Sequence, residues 1–230
     1  MRLVLLPGLN GSSHLFAPLL DELQDIDCQA LSLPDHGPQD YDSLADMLIQ
    51  HLGNRPFMLL GESFSGPLAY RLALRNPEGL RGVIFAASFL SNPFAPLALL
   101  RHLPIPLTLA THPWILRTLC LGDGASDETL RLVQGEIRRL NQSLLRARLV
   151  SLATLRAPQQ RLALPALHLW PQQDRLVAPH SAKRLAEHCD DLRQVRLKGP
   201  HFILQTQARA CAAAIRTFMA EQTPDETRQG

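Results

Sequence analysis

Short unbroken apolar runs alternate along this chain with longer stretches in which apolar residues recur every three or four positions. The first run covers residues 3–6 and ends at Pro7-Gly8; after it, Leu15, Phe16, Leu19, Leu20 and Leu23 fall at helical spacing. Residues 28–33 read as a second strand broken by Pro34, and residues 43–52 as a helix with Ser43 as its N-cap and Gly53 as its stop. A third strand is expected over residues 57–60, followed by a helix over 67–75 that ends at Asn76-Pro77. Residues 82–87, 166–170 and 192–197 supply further strand patterns, and residues 206–219 a closing helix. Strands that alternate with helices imply crossover connections. The pattern therefore predicts an α/β fold: a mostly parallel open sheet of about six strands with helices on both faces.

One stretch breaks this rhythm. Residues 90–164 contain no convincing strand and are expected to form a helical lid inserted into a core made of residues 1–89 and 165–222. The first half of the insertion is rich in proline (Pro93, Pro96, Pro104, Pro106, Pro113), so its helices must be short and bent. The second half is amphipathic, with Leu130, Val133, Ile137, Leu140, Leu144, Leu145, Leu149 and Leu152 on one pattern. Ser126, Asp127 and Glu128 supply a cap and favourable N-terminal charge. Ligands of open α/β sheets bind beyond the C-terminal ends of the strands, the edge such a lid would cover. The polar tail, residues 223–230, is expected to be disordered.

Composition narrows the function classes. Hydrophobic residues make up 46% and charged residues 19% of the 230, a globular balance. A formal net charge of +2 gives no basis for nucleic-acid or membrane binding, and nothing resembles a nucleic-acid module. Cys28, Cys120, Cys189 and Cys211 are scattered, with no C-x-x-C pair and no metal-ligand spacing, which points to reduced thiols in a cytoplasmic protein. The apolar run after Arg2 is too short for a signal-peptide core or a membrane span.

The densest chemistry lies in Gly61-Glu62-Ser63-Phe64-Ser65-Gly66, between the third strand and its helix. A strand that turns sharply into a helix lifts the apex side chain clear of the backbone. Gly61 and Ser65 are small where strand and helix crowd each other. The helix start aims free N–H groups and its positive dipole end at the same spot. Ser63 is thus a candidate nucleophile, although the same pattern suits a turn whose serine merely caps the helix.

A neutral serine needs a base, and the base needs a carboxylate to orient it. On such a sheet both belong on loops leaving strand C-termini. Asp174 follows the fifth strand and is the one acid between Glu136 and Glu187; His201 follows the sixth, in Gly199-Pro200-His201-Phe202. His180 and His188 compete with His201 but fall on or near a helix after Asp174. His36 reads as a loop-shaping residue, His14 as a candidate pocket wall, and Glu62 as a supporting carboxylate.

The order Ser63, Asp174, His201 is that of a nucleophile-elbow hydrolase. With Pro7-Gly8-Leu9-Asn10-Gly11, Leu33-Pro34-Asp35-His36-Gly37 and the D-x-x-V-x-P stretch at Asp174, the chain resembles the α/β-hydrolase family in its lid-bearing serine esterase branch. Ser65 departs from the family's G-x-S-x-G, and Pro7 stands where the family often has histidine. The resemblance implies a fold shortened at the N-terminus, catalysis by Ser63, Asp174 and His201, and an oxyanion hole of the Leu9 and Phe64 backbone N–H groups. It requires no cofactor and no metal. The implied activity is cleavage of a carboxylic ester of a small or medium apolar acyl group through an acyl-enzyme. Thioesterase, lactonase, C–C hydrolase and perhydrolase chemistry could use the same residues, and a non-catalytic binder could share the scaffold.

Between Arg131 and Arg161 there are seven arginines and one acid, Glu136. A solvated helix face accounts for such a run. The sharper expectation is docking of an acidic acyl carrier protein at Arg138 and Arg139, in line with a similarity to carboxylesterases that trim carrier-bound methyl esters.

Overall fold

The computed structural model describes residues 1–93 and 110–222. Pro96, Pro104 and Pro106 of the expected lid, and the tail 223–230, lie outside the described residues. Strands β1 (Arg2–Leu6), β2 (Cys28–Ala30), β3 (Phe57–Glu62), β4 (Leu80–Ala86), β5 (Ala166–Pro171) and β6 (Leu192–Leu197) form one sheet. Its order is β2-β1-β3-β4-β5-β6, with every neighbouring pair parallel. Among the described residues the α-helices are α1 (Ala17–Glu22), α2 (Tyr41–Ile49), α3 (Ser65–Leu74), α4 (Pro113–Leu116), α5 (Asp127–Arg138), α6 (Gln142–Ala153), α7 (His180–Glu187), α8 (Ile203–Thr206) and α9 (Ala208–Glu221).

The two-residue period of a strand sorts the apolar runs into two layers. Val4, Leu6, Leu59, Val83 and Phe85 face α2, α3 and α7, meeting Leu44, Leu68, Leu72 and Leu185. Leu3, Leu5, Met58, Leu60, Ile84, Leu167 and Leu169 face α1, α8 and α9, meeting Leu19, Ile203, Ile215 and Phe218. Full burial of a Leu or Phe side chain contributes about 1.5–3 kcal/mol, so these two layers carry the fold.

Several boundaries differ from the sequence pattern. β2 stops at Ala30, because beyond it the chain leaves the sheet edge: the Leu33 N–H donates to the Gly11 carbonyl instead, at 2.8 Å. Asp40, not Ser43, caps α2; its carboxylate accepts from the Asp42 and Ser43 N–H groups, so the helix starts at Tyr41. The apolar pattern at 15–23 is a 3₁₀ turn (Ser13–Phe16) followed by α1, with Pro18 in the first turn of α1. The pattern from Leu130 to Leu152 is two helices, since Asn141 caps α6 by accepting from the Ser143 and Leu144 N–H groups.

The described part of the insertion has a small core of its own. Leu116, Leu121, Leu130 and Val133 pack with Leu15, and Phe202 lies against them. α4 runs straight into a π-turn, Arg117–Leu121, and α5 is capped by the Ser126 hydroxyl. No helix among the described residues is long and apolar enough to cross a membrane.

β1 pairs with β2 on one side and β3 on the other, so successive crossovers leave it in opposite directions. The crevice beyond such a switch point is where open α/β sheets hold ligands. Here it lies between the loop after β1 and the turn after β3, the turn that carries Ser63.

Candidate active site

Ser63 sits in the left-handed region at φ 47°, a strained conformation for a residue with a Cβ. The surroundings hold it there. Its N–H donates to the Ala86 carbonyl at 2.8 Å, and its own carbonyl accepts from the Ser88 hydroxyl at 2.9 Å and the Gly66 N–H at 3.0 Å. Two glycines make the turn possible. A Cβ on Gly61 would lie 2.3 Å from the Ser65 carbonyl oxygen, and one on Gly66 would lie 1.5 Å from Ser88 Oγ. Ser65, the departure from the G-x-S-x-G pattern, is fully buried and donates its hydroxyl to the Pro7 carbonyl. The hydroxyl thus ties the elbow to the loop after β1.

His201 and Asp174 arrive from the neighbouring strand ends. Gln172 and Gln173, past β5, donate backbone N–H bonds to Leu197 and Gly199 at 2.9 Å each, which staples the two loops together. His201 Nε2 lies 2.8 Å from Ser63 Oγ, and His201 Nδ1 lies 2.8 Å from Asp174 Oδ2. Asp174 Oδ1 accepts from the Leu176 and Val177 N–H groups at 2.8 and 2.9 Å, so both carboxylate oxygens are committed. An ionised carboxylate only accepts, so the proton on His201 belongs on Nδ1 and leaves Nε2 free to accept from the Ser63 hydroxyl.

Both His201 and Asp174 side chains are nearly buried, at 8% and 4% exposure. Burial disfavours the imidazolium of His201. The charge of Asp174, its hydrogen bond and the charge of Glu62 outweigh that, and the pKa ends above the ordinary histidine value. Glu62 is itself buried, which pushes its carboxyl up against the opposing pull of Gln205, His201 and the Gly8 N–H. Gln205 bridges Glu62 Oε1 at 2.9 Å and the Leu15 carbonyl at 3.1 Å.

Leu9 lies in the loop after β1 and Phe64 at the start of α3. The loop comes close to the elbow: a Cβ built on Gly8 would lie 3.8 Å from Ser63 Cβ. Phe64 is buried and stacks on Tyr41, with ring centroids 4.8 Å apart.

The competing histidines are engaged elsewhere. His14 is exposed and 3.3 Å from Glu136, His36 pairs with Asp35 at the surface, His180 is exposed at the start of α7, and the His188 ring bonds the Arg184 carbonyl of its own turn. Among the described residues no cluster of three or more His, Cys, Asp or Glu side chains could hold a metal ion. The sequence reading missed Gln205 and Ser88, which carry no local signal. It also treated Arg148 as one of a surface series, whereas its side chain is buried at 2% exposure. Two more members of that series are tied down, Arg139 by Glu136 and Arg161 by Asp190.

A serine in the turn between β3 and α3, an aspartate after β5 and a histidine after β6 follow the chain order of a nucleophile-elbow hydrolase. A model described as the alpha/beta hydrolase family matches residues 3–214, and the chain belongs to that family. It is 32% identical over 130 residues to a proline iminopeptidase of Lactobacillus helveticus, covering 48% of this chain and 44% of that protein. It is 34% identical over 92 residues to the pimeloyl-[acyl-carrier protein] methyl ester esterase of Shewanella woodyi, covering 38% and 36%. The chain thus spans less than half the length of these curated relatives. Among solved structures, the enol-lactonase from Burkholderia xenovorans superposes with a TM-score of 0.81 at 17% identity, covering 95% of this chain and 91% of that one. At that identity the likeness concerns the fold.

Proposed function

We propose that the chain is a serine hydrolase that cleaves a carboxylic ester of a small or medium apolar acyl group. The observation that carries this reading is the unbroken line of hydrogen bonds, 2.8 Å at each step, from Ser63 Oγ through His201 to Asp174. In this mechanism Ser63 attacks the carbonyl carbon as His201 takes its proton, and Asp174 stabilises the imidazolium. The Leu9 and Phe64 N–H groups receive the tetrahedral oxyanion. Collapse expels the alcohol, protonated by His201, and leaves an ester on Ser63. Water, deprotonated by the same imidazole, then releases the acid.

Residues 90–164 act in this reading as the lid over a core of residues 1–89 and 165–222, and the four free cysteines favour a reducing, cytoplasmic setting. Ser63→Ala is expected to abolish hydrolysis of p-nitrophenyl acetate while the protein stays folded, and a fluorophosphonate is expected to label Ser63 alone. Full turnover by that variant overturns the assignment, and absence of labelling favours a non-catalytic binder.

A second reading is supported by the carrier-ester relative and by the exposed arginines of α5. Arg131 and Arg138 are exposed and two turns apart, hence on one face of the helix. On this reading they dock an acidic acyl carrier protein that delivers an ester or thioester. Glu at both positions is expected to weaken carrier-linked turnover and spare p-nitrophenyl acetate; equal losses on both substrates count against docking.

A further inference from the structure

Arg148 is a buried cation whose hydrogen-bond partners are all neutral. Its Nε donates to Gln39 Oε1 at 2.9 Å, Nη1 to the Leu9 carbonyl at 3.2 Å and Nη2 to the Pro34 carbonyl at 3.1 Å. Asp35, whose charge acts on it from a distance, is on the surface. Taking a guanidinium out of water without a counter-charge is unfavourable for folding, and what offsets that here is the set of three acceptors the fork satisfies. What arginine offers is a rigid planar fork, and here its three nitrogens tie together two segments, the loop after β1 at Leu9 and the loop before α2 at Pro34 and Gln39.

One of those segments is the loop after β1. The elbow grips this loop from one side, where Ser65 Oγ donates to the Pro7 carbonyl. Arg148 grips it from the other side, at the Leu9 carbonyl. The Gly8–Leu9 peptide, whose N–H is one of the two oxyanion donors proposed above, is thus anchored at both ends. Gly11 leaves the space: it has φ 76°, and a Cβ there would lie 2.0 Å from Arg148 Nη1. The arginine comes from α6, in the insertion, so the insertion reaches through to the strand ends and does more than cover them.

We propose that Arg148 is a positioning residue of the oxyanion hole, fixing the Leu9 peptide in the orientation that stabilises a tetrahedral oxyanion. This rests on the hydrolase reading. Its test compares Arg148→Met and Arg148→Lys with the wild type, using p-nitrophenyl acetate and an alkyl trifluoromethyl ketone. On the ketone, Ser63 Oγ adds to the carbonyl carbon, the carbonyl oxygen takes the electron pair, and the serine proton passes to His201.

Arg148→Met is expected to lower kcat about 10- to 100-fold, below the full loss of an oxyanion donor, with KM within about threefold. Ketone affinity is expected to fall in step with kcat/KM. Lys keeps the charge without the fork, and is expected to recover less than half of the loss on a logarithmic scale. A folded Met variant with kcat within twofold of wild type overturns the proposal, as does a kcat loss with ketone affinity unchanged. Should the Met variant not fold, the Lys variant decides: reduced kcat at constant KM supports the role, and wild-type kcat overturns it. A wild type that neither turns over esters nor reacts with a fluorophosphonate sinks the hydrolase reading itself, and this role with it. Undiminished kcat in Arg148→Met beside an active wild type removes this role alone.

Discussion

Asp174→Asn isolates the orienting carboxylate, because the new side chain has the same shape and only one way to sit. Asp174 Oδ1 receives two backbone N–H bonds, at 2.8 and 2.9 Å, and the side chain is 4% exposed. Asparagine must keep its carbonyl oxygen on that side; turning the amide would set its NH₂ against two N–H donors and forfeit about 1 kcal/mol for each bond. The NH₂ then faces His201 Nδ1, 2.8 Å away in the parent arrangement. Two donors cannot share that contact, so the ring proton moves to Nε2 and points at Ser63 Oγ. An imidazole in that tautomer cannot accept the serine proton. The expected loss is about 10⁴ in kcat, the scale of a wrong-tautomer substitution in other triads, or about 5.4 kcal/mol of barrier. Both backbone bonds survive, so the thermal midpoint should change little. Steady-state hydrolysis of p-nitrophenyl acetate and a thermal melt measure the two quantities. A folded Asn variant retaining a tenth or more of wild-type kcat would refute the reasoning.

Further predictions concern the groups around this line. His201 must be neutral to act as base, and its pKa is raised, so kcat/KM should rise with pH through a midpoint above the ordinary histidine value; Glu62→Gln removes one of the charges responsible and should move that midpoint to lower pH. The same pair sets a stability trend: both folded pKa values are raised, so their contribution is fullest below the unfolded values and declines as pH rises through the folded ones. Glu62→Gln should therefore flatten the fall in unfolding free energy from acid to neutral pH, as measured by urea titration. Gly66→Ala places a methyl group 1.5 Å from Ser88 Oγ and should cost about 1–3 kcal/mol; Ser88→Gly in the same chain relieves the clash but loses the hydroxyl bond to the Ser63 carbonyl, so it should recover only part of it, and equal melting points for parent and single variant would count against the packing argument. Ser65→Ala leaves the buried Pro7 carbonyl without its hydroxyl donor and should cost about 1–3 kcal/mol by the same measurement.

The repeating pattern of apolar runs and helical stretches was enough to read the parallel α/β sheet, because burial on both faces leaves a continuous apolar signature in each strand. The elbow was equally local, since a strand, a turn of small residues and a helix are consecutive in the chain. Boundaries were less legible where a side chain and a backbone group compete for the same N–H. Asp40 outcompeted Ser43 as a cap, and Asn141 cut one amphipathic pattern into two helices. At the edge of the sheet, Leu33 found the Gly11 carbonyl and β2 ended early.

Sequence alone could name Ser63, His201 and Asp174 as partners by their order and their places after strands, because chain order and strand ends are properties of the chain itself. Only tertiary structure decided what surrounds them. Gln205 meets Glu62 across 143 positions, and Arg148 reaches Leu9 across 139. Contacts at such separations leave no periodicity to read. Arg148 shows the consequence: among charged neighbours in sequence it looks like one more surface cation, and only the packing of α6 against the loop after β1 buries it.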